Sequence, residues 1–350
     1  MILPRQVMRR LRITRLFYRC TWLPWSWFAK AAFAGKRLEP LLSTYGPLSL
    51  LFLIGVWAGV LIFGYALIHW ALGPGLSTVD HTRGFMTDLY LSGTTFFTLG
   101  LGDVAPLSRT AKVLVVIETG MGLGFLALII GYLPALNQSF SRREVTISML
   151  DQRAGSPPSV SEMIRRNMAR GGVDELEQYL SEWERWAAEL LESHLSYPFL
   201  AYFRSHHDNQ SWLGALTTIL DTSALVTTLA EGACSPQARM TFAIARHAVV
   251  DLSIVFGISP ADPPENRLPP ADLARLTHFL GSSNFKIHEE EDARERLTEL
   301  RRTYEPYVFS LASYFCLSVP PWVKSDDIPD NWQTSAWSTN QRGSYAGSHF

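Results

Sequence analysis

The stretch Thr94-Thr95-Phe96-Phe97-Thr98-Leu99-Gly100-Leu101-Gly102-Asp103 decides the reading of this chain. Within it two glycines alternate with two leucines. Glycine reaches positive φ without steric cost, so Gly100 and Gly102 free the backbone to alternate conformations that other residues avoid. What flanks the stretch says where it sits. From Leu48 to Leu72 there is no Lys, Arg, Asp or Glu. At 1.5 Å per residue that run exceeds a hydrocarbon core of ~30 Å. From Val113 to Leu136 a second such run carries one charge, Glu118. Two membrane spans are therefore expected, over 48–72 and 113–136. Between them, Gly73-Pro74-Gly75 breaks the first helix, and residues 84–97 form an apolar run too short to cross. A half-helix that enters the membrane and returns fits this run. Irregular backbone at membrane depth is tolerated only where it is buried in protein or lines a watery path, so a pore or a binding site is expected.

The quoted stretch resembles the potassium-channel signature Thr-Val-Gly-Tyr-Gly-Asp. The resemblance covers residues 46–138 and keeps the family order of span, pore helix, filter and span. It implies that K⁺ sheds its water and is held by rings of backbone carbonyls from four chains. Thr98, Leu99, Gly100 and Leu101 would carry the K⁺ sites, and Gly102 completes the filter of residues 98–103. The Thr98 hydroxyl would add a ring at the inner end, and the carbonyl end of the pore helix would favour a cation below it. One filter per chain implies a homotetramer. The permeant ion is K⁺, and neither a cofactor nor a catalytic residue is implied.

Further positions follow from the same resemblance. Gly122 lies 24 residues beyond Thr98, the spacing of the family's gating-hinge glycine. Gly120 and Gly124 flank it, so close helix packing accounts for the trio equally well. Leu123, Leu126 and Ile130 would line the inner cavity, and Pro134 would bend the inner helix near its gate. Asp103 keeps its family position, and Tyr90 matches an aromatic that hydrogen-bonds that aspartate. The departures are Leu99 for valine, Leu101 for tyrosine, Phe97 for threonine, and Thr94 where some members carry a glutamate that braces the filter. A Gly-Leu-Gly filter also occurs in the second pore of two-pore-domain potassium channels. Leu101 cannot hydrogen-bond, so a softer filter is expected, with weaker or state-dependent selectivity. Glu118, an ionisable residue inside a span, is a functional candidate. It stands either behind the filter, replacing the brace missing at Thr94, or near the outer interface, reaching water, Arg109 or Lys112.

Charge divides the 350 residues into regions. Residues 1–46 hold nine Lys/Arg against one acid, Glu39, and interleave them with Trp22, Trp25 and Trp27. Such a segment suits the headgroup layer, with a partly disordered arm as the alternative. The positive-inside rule puts both termini in the cytoplasm of a multi-pass cell-membrane protein, and Arg142–Arg143 agree. Residues 141–323 read as a cytoplasmic helical domain and 324–350 as a loosely ordered tail. Ser156-Pro157-Pro158-Ser159 forms a linker. Helices are expected near 159–170, 173–195, 210–233, 236–256, 270–282 and 287–315. Segments 213–230 and 242–258 are apolar, but their internal charges favour bundle helices over further spans. His206-His207-Asp208, with His194, is a weak metal candidate. His247 and Asp251 read as a structural pair. Cys20, Cys234 and Cys316 suggest no disulfide framework.

The fold class expected is thus an all-α membrane protein, with two spans, a re-entrant pore helix and filter, and a C-terminal soluble helical domain. That domain could serve assembly, sense a ligand or bind a partner protein. Nothing suggests a nucleic-acid partner. Two other functions fit the sequence: a weakly selective monovalent cation channel, and a membrane-anchored sensor or scaffold whose pore module no longer conducts.

Overall fold

The computed structural model describes residues 13–32, 38–73, 76–78, 84–207, 209–231, 234–282, 286–287 and 291–324. These form two compact units, one from residues of 1–25 and 44–138, the other from residues of 26–43 and 139–350.

The first unit is built on long apolar helices. Helix α1 (Ile13–Ala32) runs through Pro24, and α2 spans Leu38–Ala71. Aromatic packing joins them. Trp22, 1% exposed, puts its ring 4.8 Å from that of Tyr45. Phe17 lies 5.4 Å from Phe52, and the Thr21 and Tyr45 hydroxyls are 2.7 Å apart. Leu16 and Leu23 stay exposed on α1, so the aromatic segment is an amphipathic helix here. The arginines at 5, 9, 10 and 12 lie outside the described residues. Helix α2 begins ten residues before the expected span. Leu42, 0% exposed, and Tyr45 give that extension its own apolar contacts.

Strand β1 (Leu76–Thr78), helix α3 (Phe85–Phe96) and strand β2 (Val104–Pro106) follow. The two strands pair antiparallel, Thr78 opposite Val104 and Leu76 opposite Pro106, so they close the base of the segment that holds α3. Helix α3 buries Asp88, Leu91, Ser92, Thr95 and Phe96, one face at helical spacing. Helix α4 then runs unbroken from Arg109 to Ala154. The units divide at 138–139, close to the expected boundary at 140–141, but the helix does not break there: Ile147, Leu150 and Ala154, all 0% exposed, keep an apolar stripe going. It ends at Gly155, whose φ of 83° leaves the helical region.

The second unit is a helical bundle with one central helix. Ser159 caps α5 (Val160–Ser196) by accepting from the Glu162 amide, and Gly172, at φ 73°, kinks it. A 3-10 turn (Pro198–Tyr202) leads to α6 (Trp212–Leu229), then strand β3 (Ala230–Glu231), α7 (Cys234–Phe256) and α8 (Pro270–Ser282). Strand β4 (Lys286–Ile287) pairs antiparallel with β3, and α9 (Glu291–Arg302) and α10 (Glu305–Phe315) complete the bundle. The single helix expected over 287–315 is split at Thr303–Tyr304. Pro306 lies in the first turn of α10, where a missing N–H costs nothing, and would break a continuous helix. The two short ladders are likewise additions to the all-α expectation.

Helix α6 is apolar enough to cross a membrane, yet 94% of its most apolar window is buried inside the protein. It is a bundle core, as its internal Asp221 suggested. That carboxylate is 0% exposed and fully engaged. Arg267 reaches it at 2.6 Å, and the Tyr304 hydroxyl donates to it at 2.5 Å. Arg267 also donates to Glu305 at 3.1 Å and to the Pro320 carbonyl at 2.7 Å. His247 and Asp251 form a surface pair at 3.3 Å along α7.

Candidate functional site

The chemistry-bearing stretch leaves α3 through a tight backbone turn. Phe97 N–H donates to the Gly93 carbonyl at 3.1 Å, Thr98 N–H to Thr95 at 3.0 Å and Leu99 N–H to Thr94 at 2.7 Å. Every second residue then has positive φ: Thr98 at 59°, Gly100 at 56° and Gly102 at 83°. This is the alternation that the two glycines allow. A Cβ added at Gly100 or Gly102 would meet nothing within 4 Å, so backbone conformation rather than space demands glycine at both positions. Thr98 adopts the left-handed region despite its β-branched side chain. Strain of this kind is held in place only where the surroundings over-determine it, and it gathers at functional sites.

The side chains around the stretch fall into three groups. Tyr90 and Asp103 lie within electrostatic reach of each other. The Thr94 hydroxyl turns back onto its own helix, donating to the Tyr90 and Leu91 carbonyls, both at 3.0 Å. Its link to the stretch is the carbonyl that accepts from Leu99. Phe97, Leu99 and Leu101 are 61%, 61% and 66% exposed in the single chain.

Glu118 is 0% exposed, and its partner is His69 of α2, with Nε2 3.4 Å from Oε2. Sequence reasoning missed His69 because the first apolar run was screened for Lys, Arg, Asp and Glu alone. Gly122 lies one turn further along α4, on the same stripe as Ala111 and Glu118, all three buried. A Cβ at Gly122 would overlap the carbonyl oxygen of Phe96. The glycine is what lets α4 approach the last residue of α3. Leu123, Leu126 and Ile130 are 54%, 54% and 64% exposed. Their helical phase puts them together on one flank of that stripe.

Outside the first unit the weaker candidates resolve as structure. Of His206-His207-Asp208, Asp208 lies outside the described residues, and His206 packs edge-on against Phe140 at 5.3 Å. His194 is buried. Its Nδ1 lies 2.8 Å from the Leu190 carbonyl, and its Nε2 lies 3.4 Å from Arg143. Burial, then the Arg143 charge, pushes its pKa down to about 3. Among the described residues no group of three His, Cys, Asp or Glu is arranged to hold a metal. Arg143 is 3% exposed and donates to the Leu200 and Phe203 carbonyls at 2.9 and 2.8 Å. It is an anchor of the bundle rather than a surface charge.

Residues 52–138 match the model of a family described as "Ion channel". That segment contains most of α2, all of α3, both short strands, the 98–103 stretch and α4 as far as residue 138. Residues 52–138 are an ion-channel domain. A protein of Bacillus subtilis (strain 168), named as the uncharacterized membrane protein YdjJ, is 29% identical over 131 residues. The match spans 36% of this chain and 38% of that relative's length. No solved structure matches the chain. Helices α2 and α4 each contain an 18-residue window of mean hydropathy 2.4, with only 17% and 11% of it buried. With the ion-channel match, this marks the chain as a membrane protein.

Proposed function

We propose that this chain is the subunit of a homotetrameric potassium channel. The observation that carries the reading is the alternation of positive φ at Thr98, Gly100 and Gly102, directly after a short helix between two long apolar helices. In this reading α2 and α4 cross the bilayer and α3 is the re-entrant pore helix. Carbonyls of Thr98, Leu99, Gly100 and Leu101 from four chains replace the water around K⁺, with Gly102 at the outer end. Flow is passive and no bond is made or broken. Leu123, Leu126 and Ile130 face the cavity on the exposed flank of α4. The exposed Leu99, Leu101 and Phe97 are covered by neighbouring copies. Tyr90 and Asp103 hold the outer end of the filter. Gly122 lets the inner helix bear on the pore helix, so gating motion at Gly122 would reach Phe96 directly. The arginine-rich N-terminus places both termini in the cytoplasm. The bundle beyond residue 139 serves assembly or carries a gating input.

The test is flux from liposomes holding the purified protein. K⁺ flux well above Na⁺ flux, abolished by Gly100→Asp, is the expected result. One observation favours a second reading. Leu101 offers no hydroxyl to brace the filter, so a weakly selective cation channel would pass Na⁺ and K⁺ comparably and still be blocked by Gly100→Asp. A sensor or scaffold would pass neither ion. Native mass spectrometry gives the copy number, with four expected.

A further inference from the structure

The polar groups buried behind α3 are not part of the filter. His69 of α2 is 2% exposed, Glu118 of α4 is 0% exposed, and Asp88 and Ser92 of α3 are 8% and 0% exposed. Three helices thus bring ionisable or hydroxyl side chains inward, where lone charges are expensive. His69 and Glu118 approach to 3.4 Å, and Asp88 lies within electrostatic reach of His69. Ser92 follows Asp88 by one turn on the same face. Yet His69 Nε2, both Glu118 carboxylate oxygens and the Ser92 hydroxyl have no hydrogen-bond partner among the described residues. Buried polar atoms without partners are rare in folded proteins, and each needs a reason.

Charge supplies one. With every proton removed, His69, Asp88 and Glu118 together carry −2. A proton on His69 leaves −1, and a second on either carboxyl leaves zero. Net charge in a desolvated site is costly. Among the described residues, Asp88 on α3 is the titratable group facing the pair from the third helix. The cations nearest along α4, Arg109 and Lys112, occupy exposed positions nearer its start. Among the described residues, then, these three are the titratable groups that the site brings together.

The site is also placed to act on the filter. Glu118 stands one turn before Gly122 on the buried stripe of α4. Gly122 abuts the carbonyl of Phe96, which precedes Thr98 by two residues. A change in how α4 is held at Glu118 is passed on one helical turn later to the backbone entering the filter.

We propose that His69, Glu118 and Asp88 form a buried proton-binding site that positions the pore helix, making conduction depend on outer pH. The protonated site joins His69⁺ to Glu118 and holds the outer and inner helices against α3 in the conducting arrangement. Deprotonation leaves the Glu118 carboxylate without a partner, loosens the contact at Gly122 and lowers conduction. His69 and Glu118 are positioning residues and touch no permeant ion. This inference rests on the channel reading above.

The experiment is K⁺ flux from liposomes at inner pH 7 and outer pH 5 to 9, for the wild type, His69→Gln and Glu118→Gln. Wild-type flux should fall on the order of tenfold across that range, the size usual for one coupled site. Both variants should flatten the profile. The double variant His69→Leu/Glu118→Leu, which replaces the pair by apolar groups of similar size, should assemble and conduct with no pH dependence. Independently, infrared titration should show a protonated carboxyl band that disappears at high pH and is absent in Asp88→Asn. A flat wild-type profile, or a slope unchanged in all three variants, overturns the inference. Absence of wild-type flux at every pH overturns the channel reading instead. The infrared titration then decides the proton site, and a spectrum with no pH-dependent carboxyl band rules it out.

Discussion

Helices α4 and α6 are both apolar enough to cross a membrane, but they bury their side chains in opposite proportion. The most apolar window of α4 is 11% buried and that of α6 is 94% buried. Hydropathy alone does not separate a helix made for lipid or for sister subunits from one made for a bundle core. The polar residues do. Asp221 on α6 is matched by Arg267 and Tyr304 from later in the same unit. Among the described residues Glu118 on α4 has His69 at 3.4 Å, and its oxygens have no hydrogen bond. Asp221 finds its partners within the bundle, whereas Glu118 keeps carboxylate oxygens without a hydrogen bond among the described residues.

The sharpest way to break this contrast is at the filter. Gly100→Asp puts a side chain and a charge where φ is positive, and flux should be lost entirely while the bundle unfolds as in the wild type. Among the described residues of the bundle, Arg267→Met leaves the buried Asp221 with the Tyr304 hydroxyl and no cation, and Glu305 with Arg301 alone. Removing one partner of a buried pair costs about 3–5 kcal/mol. Denaturant unfolding followed by tryptophan fluorescence should show that loss.

Acid should act on the bundle next. His194 takes up its proton only near pH 3 when folded, against an ordinary value of 6.5. The unfolded chain binds that proton first, so stability falls as pH drops from 6.5 toward 3. Glu162 works in the same direction over a lower range. Burial alone would raise its pKa, but Arg165 and Arg166 hold it at about 2, against an ordinary 4.5. By pH 3 the combined loss should be on the order of 6 kcal/mol. An unfolding midpoint that stays constant from pH 7 to pH 4 would contradict the buried neutral His194.

The smallest test compares two leucines directly. Leu216→Ala in α6 removes a side chain that is 0% exposed and should cost about 2–5 kcal/mol. Leu128→Ala in α4 removes one that is 73% exposed and should change unfolding by under about 0.5 kcal/mol. Equal losses would mean that α4 is packed in a core of its own.

The two apolar runs, the short helix and the glycines were legible because each is a local property of sequence: length without charge, a run too short to cross, a residue that tolerates positive φ. The bundle helices were legible from periodicity, and the end of α9 was missed because Pro306 acts one residue inside the next helix. The partners of polar residues were not legible. Glu118 was seen and His69 was not, since pairing across two helices depends on register that no local pattern contains. Arg143 illustrates the same limit. It reads as a flanking positive charge, yet it is spent inside the bundle on two carbonyls and Glu144.

The small ladder between β1 and β2 has a consequence of its own. Antiparallel pairing reads register, and a slip of one residue turns every side chain to the other face. With Thr78 opposite Val104, the ladder ties the chain that leads into α3 to the chain that leaves residue 103. It therefore works as a clasp. Between the end of α3 at Phe96 and the start of β2 at Val104 the positive-φ stretch is held at both ends. A residue gained or lost there has to be taken up by the stretch itself or by the register of the ladder.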